Sequence, residues 1–330
     1  MTNIIGLPKP PAVGATALQP GTFADITVVV TGGGTGLGKA IACEFARLGA
    51  RLCVLSRKPE HLDAAESALK KLGAEVLCIE CDIRDADSIS SAFDQIEQRF
   101  GLPGVLVNNA AANFPSPSED LSPNAWRTVV DITLNGTFLM CREFGRRLLR
   151  AGVAGSIINI GATYAWTGGP GFAHSAAAKA AVKNLTESLA VEWGPYGIQV
   201  NCLVPGLMPH EDMTADIQSN LRNTNDKDLC QPAMRVGQRQ ELGWAATFLA
   251  SPYARFISGH TLVVDGANWQ RRSLTNPEVI PIRHRWVARH SVRIKQQLTV
   301  GLRPERTLSR RDLPRQHLLL LGNPQRNQTR

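Results

Sequence analysis

No apolar run in the chain approaches the ~20 residues that cross a bilayer as a helix, which excludes a helical membrane protein. The first twenty residues hold one basic residue, Lys9, and neither an Arg nor a signal-peptide hydrophobic core. The last three, Gln328, Thr329 and Arg330, are not a peroxisomal address. With every address missing, a cytoplasmic location is expected. Aromatic residues are few, at 6%, and the 43% hydrophobic and 19% charged content is ordinary for a globular protein. Paired cysteines are missing too: Cys43, Cys53, Cys78, Cys81, Cys141, Cys202 and Cys230 form an odd, scattered set that suits reduced thiols. Cys78 and Cys81 make one CxxC, inside the strand-like EVLCIECDI, where positions three apart face opposite ways. No second pair completes a zinc site, so no metal is expected. His210-Glu211-Asp212 also lacks ligand spacing and reads as the surface of a substrate loop.

A genuine basic surface is lacking as well, despite a formal charge of +8. From Arg283 onward there are 12 Lys+Arg against 2 Asp+Glu, whereas residues 1–282 carry 24 against 26. The main domain therefore offers no electrostatic ground for nucleic acid. Residues 1–22, rich in Pro, Gly, Ala and Thr, read as a flexible or surface-lying lead-in. Residues 23–282 read as one domain, and 283–330 as a basic, non-globular tail that is disordered or loosely docked.

What the chain does have is strict alternation of strand and helix patterns from Ile26 to Gly266, with no internal repeat. ITVVV, ARLCVLSR, AEVLCIECD, VLVNNA, SIINIG, IQVNCLVPG and HTLVVDG are Val/Ile-rich runs suited to strands buried on both faces. Helices are predicted over Gly36 to Gly49, Pro59 to Leu72, Ala86 to Phe100, Ala173 to Trp193 and Glu241 to Leu249. Between the fourth and fifth strands the pattern gives a short helix from Ser122 and a longer one up to Arg150. Met208 to Gln238 reads as polar and irregular. The fold class is α/β: a Rossmann-type, doubly wound parallel sheet in a single domain.

Thr31-Gly-Gly-Gly-Thr-Gly-Leu-Gly38 follows the first strand directly and opens a helix. Glycines let the backbone close on a pyrophosphate, and the helix N-terminus meets it with amides and positive dipole. At the end of the second strand stand Ser56, Arg57 and Lys58, with no acidic residue to grip a ribose 2′-hydroxyl. Arg57 suits a 2′-phosphate bidentately and Lys58 adds charge, which favours NADP(H). Asp82, closing the third strand, is placed to accept from the adenine amine. Asn108 and Asn109 anchor the fourth strand's end beside the adenosine. The cofactor set is therefore Thr31, Gly32, Gly34, Thr35, Gly36, Leu37, Gly38, Ser56, Arg57, Lys58, Asp82, Ile83, Asn108, Asn109 and Ala110.

Ser175 and Lys179 lie four apart in the alanine-rich helix after the fifth strand, so both occupy one face. Tyr164 lies in the loop at that strand's end, where doubly wound sheets place their cofactors. His174, beside Ser175, reads as a structural helix-start histidine.

TGGGTGLG, NNAAA, the helix with Lys179, and Val204-Pro205-Gly206 resemble, in order and spacing, the short-chain dehydrogenases/reductases over roughly residues 23–270. The resemblance implies that Lys179 holds the nicotinamide ribose, that Pro205 and Gly206 lie under the nicotinamide, and that Leu207 to Leu229 is a substrate loop. It also implies a homotetramer built through Asn124–Arg150 and Ala173–Trp193. Two departures matter. The family's tyrosine four residues before the lysine is Ser175 here, and its serine thirteen residues earlier is Ala162. A tyrosine fifteen residues before the lysine, with NNAAANF, LSPNAW and DITLNGTF, is instead similar to the 2,4-dienoyl-CoA reductases, the mitochondrial type above all. That similarity implies an acyl-CoA substrate in fatty-acid β-oxidation, with Tyr164 and Asn113 binding the thioester and Ser175 assisting. The alternatives are a short-chain reductase acting on a ketone, sugar or steroid alcohol, and a catalytically silent nucleotide-binding protein.

Overall fold

Val28 and Val30 point to one side of the first strand and Val29 to the other, and all three are fully buried, so both faces of this sheet are covered. The computed structural model describes residues 7–210, 213 and 231–270. Its strands are β1 (Thr27–Thr31), β2 (Arg51–Ser56), β3 (Val76–Glu80), β4 (Val105–Asn108), β5 (Gly155–Ile160), β6 (Ile198–Pro205) and β7 (Thr261–Val264). They pair in parallel in the order β3-β2-β1-β4-β5-β6-β7. The chain thus builds outward from β1 to β3, then returns to β1's other flank as β4. That reversal opens a crevice at the carboxyl ends of β1 and β4, where Thr31 is in register with Asn108. The doubly wound sheet expected from the alternation is the one observed.

One face of the sheet is covered by α1 (Gly36–Arg47), α2 (Pro59–Lys70) and α8 (Arg239–Ala250), through Phe45, Leu69 and Leu242 among others. The opposite face is covered by α3 (Ala86–Phe100), α5 (Gly136–Ala151) and α7 (Ala173–Trp193), through Phe93, Phe144 and Leu189. Each large apolar side chain so enclosed contributes ~1.5–3 kcal/mol over the exposed state.

Two elements differ from the sequence pattern. The helix pair before β5 is α4 (Pro123–Val130), capped by the Ser122 hydroxyl on the Ala125 amide, joined to α5 without a loop by a π-helical turn, Asp131–Asn135. α5 stops at Gly152, whose left-handed backbone (φ 67°) closes the last turn. The Tyr164 segment, which reads as loop, is a one-turn helix, α6 (Tyr164–Thr167).

Residues 7–22 lie along the domain surface: the Leu7 amide donates to the Ala233 carbonyl, Arg235 to the Pro8 carbonyl and the Trp244 indole to the Ala15 carbonyl. The chain divides after Pro277, and the unit from Glu278 on, which includes the basic tail, lies outside the described residues. So do Cys230 and most of the expected substrate loop. Among the described residues no helix is long and apolar enough to cross a membrane.

Candidate active site

The seam between β1 and β4 is closed by one hydroxyl. Thr31 Oγ1 accepts from the amides of Asn109 and Ala110, at 3.0 Å each. The Asn109 carboxamide donates in turn to the carbonyls of Thr31 and Gly32, at 3.1 Å each. Gly32 (φ 62°) and Gly36 (φ 51°) adopt the left-handed backbone that lets the loop double back into α1. A Cβ at Gly38 would lie 2.4 Å from both Asn109 Nδ2 and the Gly32 oxygen, so only glycine lets the loop fold against the β4 end. Gly34 is pressed on the α2 side, where a Cβ would lie 2.3 Å from the His61 carbonyl oxygen. No acidic residue stands in the first turn of α1, and Thr35 makes no side-chain cap. This end keeps its positive dipole for an anion.

From this loop a cleft of about 550 Å³ runs along the strand ends. It is lined by Gly32, Thr35, Gly36 and Leu37, then by Ser56, Arg57 and Lys58, then by Asp82, Ile83, Asn109 and Ala110. Its volume and glycine cradle fit a dinucleotide. At the far end, Asp82 accepts a forked pair from Arg84, while Arg57 Nη1 lies 3.9 Å from the same carboxylate. The Arg84 hydrogen bonds hold the Asp82 carboxyl below its ordinary range. The expected adenine acceptor is therefore engaged by its own chain. Two cations, Arg57 and Arg84, face one carboxylate, and Lys58 lines the cleft beside Arg57, an arrangement that suits a phosphate. Arg84 and His61, which also lines the cleft, were missed by sequence reasoning; Arg84 lies just two residues beyond Asp82.

Three segments meet at the carboxyl end of β5. The Tyr164 hydroxyl lies 3.0 Å from Ser175 Oγ, and the Asn113 amide donates to it at 3.5 Å. Asn113 comes from the stretch after β4, Tyr164 from α6, and Ser175 from the first turn of α7. Burial raises the Tyr164 pKa and the Ser175 hydrogen bond offsets part of that rise, so the phenol stays protonated near neutral pH. Lys179, one turn beyond Ser175, is buried, and its ammonium donates to the Ile160 carbonyl. Burial lowers its pKa to about 8, with Cys202 opposing. The ammonium's hydrogen bond goes to the β5 end, and the groups that shift the phenol are burial and Ser175.

Asn108 anchors the end of β4 from the β5 side. Its side chain donates to Asn159 Oδ1 (2.9 Å) and Cys141 Sγ (3.1 Å), so it braces β4 against β5 and is not among the residues that line the cleft. Asn159 donates on to Thr186 (3.0 Å), which fixes α7 against the same strands. Pro205 ends β6 and Gly206 follows it, and a Cβ at Gly206 would lie 2.5 Å from Cβ of Asp265, the residue after β7, so the close approach of the two strand ends requires this glycine. His210, expected on the substrate-loop surface, lines the cofactor cleft instead, its ring against Gly36; Glu211 and Asp212 lie outside the described residues. His174 is buried edge-on against Phe114, with ring centroids 4.6 Å apart. Among the described residues no group of three or more His, Cys, Asp or Glu could hold a metal ion.

The family described as enoyl-(acyl carrier protein) reductase matches residues 32–267. The chain belongs to the short-chain dehydrogenase/reductase family. Membership in the short-chain dehydrogenases/reductases makes it an oxidoreductase that uses a nicotinamide nucleotide. A probable 2,4-dienoyl-CoA reductase of Bacillus subtilis (strain 168), named as producing (2E)-enoyl-CoA, is 38% identical over 247 residues, which are 73% of this chain and 96% of that protein. The peroxisomal 2,4-dienoyl-CoA reductase of Rattus norvegicus, named as producing (3E)-enoyl-CoA, is 38% identical over 251 residues, 76% of this chain and 86% of its own. Among solved structures, a short-chain dehydrogenase from Bacillus anthracis shares 38% identity with a TM-score of 0.69, covering 76% of this chain and 98% of its own.

Proposed function

We propose that this short-chain dehydrogenase/reductase reduces 2,4-dienoyl-CoA to 3-enoyl-CoA with NADPH, a step in the β-oxidation of unsaturated fatty acids. One observation carries the reading: the phenol delivered by α6, with Ser175 at 3.0 Å and Asn113 at 3.5 Å, stands at the strand end where the family places its chemistry. The names of the relatives support the substrate class. The cations Arg57 and Lys58 in the cleft lining support NADPH over NADH.

NADPH, held by the Thr31–Gly38 loop, Arg57 and Lys58, supplies the hydride. Addition at the far end of the diene drives negative charge through the conjugated system to the thioester oxygen. The chain's part is to receive that charge. Tyr164, still protonated, donates its O–H there, while its oxygen accepts from Ser175 and Asn113, which strengthens it as a donor. The second donor is the Asn113 amide. One well-aimed donor lowers such a barrier by ~3–4 kcal/mol. Lys179 holds the ribose as an ammonium anchored at the β5 end. Protonation of the dienolate at the carbon next to the thioester, where its charge is greatest, leaves the 3-enoyl product.

The test is NADPH consumption with a 2,4-dienoyl-CoA, product analysis by NMR, and a parallel run with NADH. Turnover with NADPH preferred is expected. Ketone, sugar or steroid reduction without dienoyl-CoA turnover selects a conventional reductase, and NADPH binding without any turnover selects a silent nucleotide-binding protein.

Two further features belong to the same proposal. Trp126 and Phe138 leave 40% and 44% of their surface exposed on the α4–α5 segment, which supports a homotetramer closed through 124–150 and 173–193. The six described cysteines are free thiols, which supports the reducing cytoplasm.

A further inference from the structure

Residues 171–175, around the start of α7, hold both groups that flank the Tyr164 hydroxyl. The Gly171 carbonyl accepts from the Ser116 amide at 2.8 Å. The Phe172 ring lies parallel to the Tyr164 ring, with centroids 6.4 Å apart. His174 meets the Phe114 ring edge-on, with centroids 4.6 Å apart and planes 83° from parallel. Ser175 Oγ lies 3.0 Å from the Tyr164 hydroxyl. Phe114 directly follows Asn113, so on that side of Asn113 the segment after β4 is tied to α7 by a ring contact and a backbone bond. On the other side the Ala112 amide donates to Thr133 Oγ1 at 3.3 Å. The Asn113 amide is thereby brought to 3.5 Å from the same phenol oxygen that Ser175 touches. His174 is 1% exposed, yet neither of its ring nitrogens has a hydrogen-bond partner among the described residues. A buried polar atom left unpaired costs stability, so such a group calls for a reason. What the imidazole offers at this place is its ring, set against Phe114, which is itself 37% exposed.

We propose that His174 is a positioning residue that sets the Asn113 donor through Phe114, a role that rests on the dienoyl-CoA reading of the same site. His174 and Ser175 are neighbours on one helix turn, and Asn113 and Phe114 are neighbours on the segment after β4. Holding His174 against Phe114 therefore limits how far the Asn113 amide can drift from the Ser175 hydroxyl. The Tyr164 oxygen stands between those two groups. Donors that are already aligned lose nothing to reorganisation as charge grows on the thioester oxygen. A misplacement of about 1 Å in such a set is enough to slow the chemistry. Contacts to the rest of the acyl-CoA are untouched, so the effect falls on kcat and not on KM. His174 acts through Asn113 and takes no part in the chemistry itself.

The experiment is steady-state kinetics with a 2,4-dienoyl-CoA and NADPH, alongside NADPH binding and thermal midpoints. The proteins are wild type, His174→Ala, His174→Phe, Phe114→Ala and Asn113→Ala, with the first and third changes also made on Asn113→Ala. His174→Ala and Phe114→Ala should each lower kcat about tenfold, with KM and NADPH affinity within about twofold. His174→Phe keeps a ring against Phe114 and removes the two unpaired nitrogens, so it should hold kcat within about twofold of wild type, with a thermal midpoint unchanged or raised. On Asn113→Ala, neither His174→Ala nor Phe114→Ala should lower kcat further, because their action passes through the missing amide. A histidine that only supports the fold would lower the thermal midpoint and lack that non-additivity. Three results overturn the role and leave the function intact: an unchanged kcat in both alanine variants, a kcat as low in His174→Phe as in His174→Ala, or a further loss on Asn113→Ala. A wild-type chain without dienoyl-CoA turnover overturns the function and this role with it. If His174→Ala fails to fold, His174→Phe and Phe114→Ala, which removes a partly exposed side chain, still decide.

Discussion

Around β1 and β4 the cofactor side of the cleft is made by leaving side chains out, whereas around β5 the catalytic side is made by bringing side chains in. Gly32, Gly36 and Gly38 work through a permitted φ or a missing Cβ, and their neighbours are mainly backbone groups, the Asn109 carboxamide and, at Gly36, the His210 ring. Asn113, Tyr164, Ser175 and Lys179 come from three segments and work through polar atoms. The first kind of site is dictated by local backbone geometry; the second depends on the tertiary fold to bring its members together.

That contrast can be broken in three places. The largest effect is expected from Tyr164→Phe, which should lower turnover of a dienoyl-CoA by about 10²–10³-fold while NADPH still binds with unchanged affinity. An unaltered rate would remove the phenol from the chemistry. Next, Gly38→Ala should cost ~1–3 kcal/mol and weaken NADPH binding, because its Cβ would lie 2.4 Å from Asn109 Nδ2 and the Gly32 oxygen. Gly194→Ala is the control: it meets nothing within 4 Å and has a helical φ of −51°, so it should leave the thermal midpoint unchanged or slightly raised. Equal effects from the two changes would deny the steric reading of the loop.

The smallest effect concerns pH. Burial depresses Lys179 from 10.5 to about 8, so the ammonium is lost as pH rises through about 8, and kcat/KM should fall several-fold over the next unit. Stability has the opposite sign. Between about 8 and 10.5 the unfolded lysine binds more protons than the folded one, so the free protein should gain stability across that window. A pH–rate profile and thermal midpoints in the same buffers separate the two, and Lys179→Met should flatten both.

The same contrast governs what the sequence reveals. Strand-glycine-helix order and Val/Ile runs are contiguous or short-range, and the structure places those elements as the pattern predicts. Arg84 was missed because its partnership with Asp82 looks like an ordinary surface pair until the cleft is seen. The direction of Asn108 was not legible because a strand-end asparagine can face either the ligand or the sheet, and the register with Asn159 decides it. Lys179 finds its partner, the Ile160 carbonyl, nineteen residues back in sequence, which the helix pattern does not reveal. The Phe114–His174 contact spans 60 positions, and no periodicity announces it.

The π turn at Asp131–Asn135 carries a consequence for evolution and engineering. Thr133 in that turn accepts from the Ala112 amide, next to Asn113, and Ile132 forms part of the cofactor cleft's lining. A π turn accommodates one residue more than an α turn, so deleting a single residue there would restore a regular α ladder and take Thr133 out of the widened turn. The tether on the neighbouring loop would then break. Insertions and deletions should therefore be far rarer in this stretch than exchanges of one side chain for another.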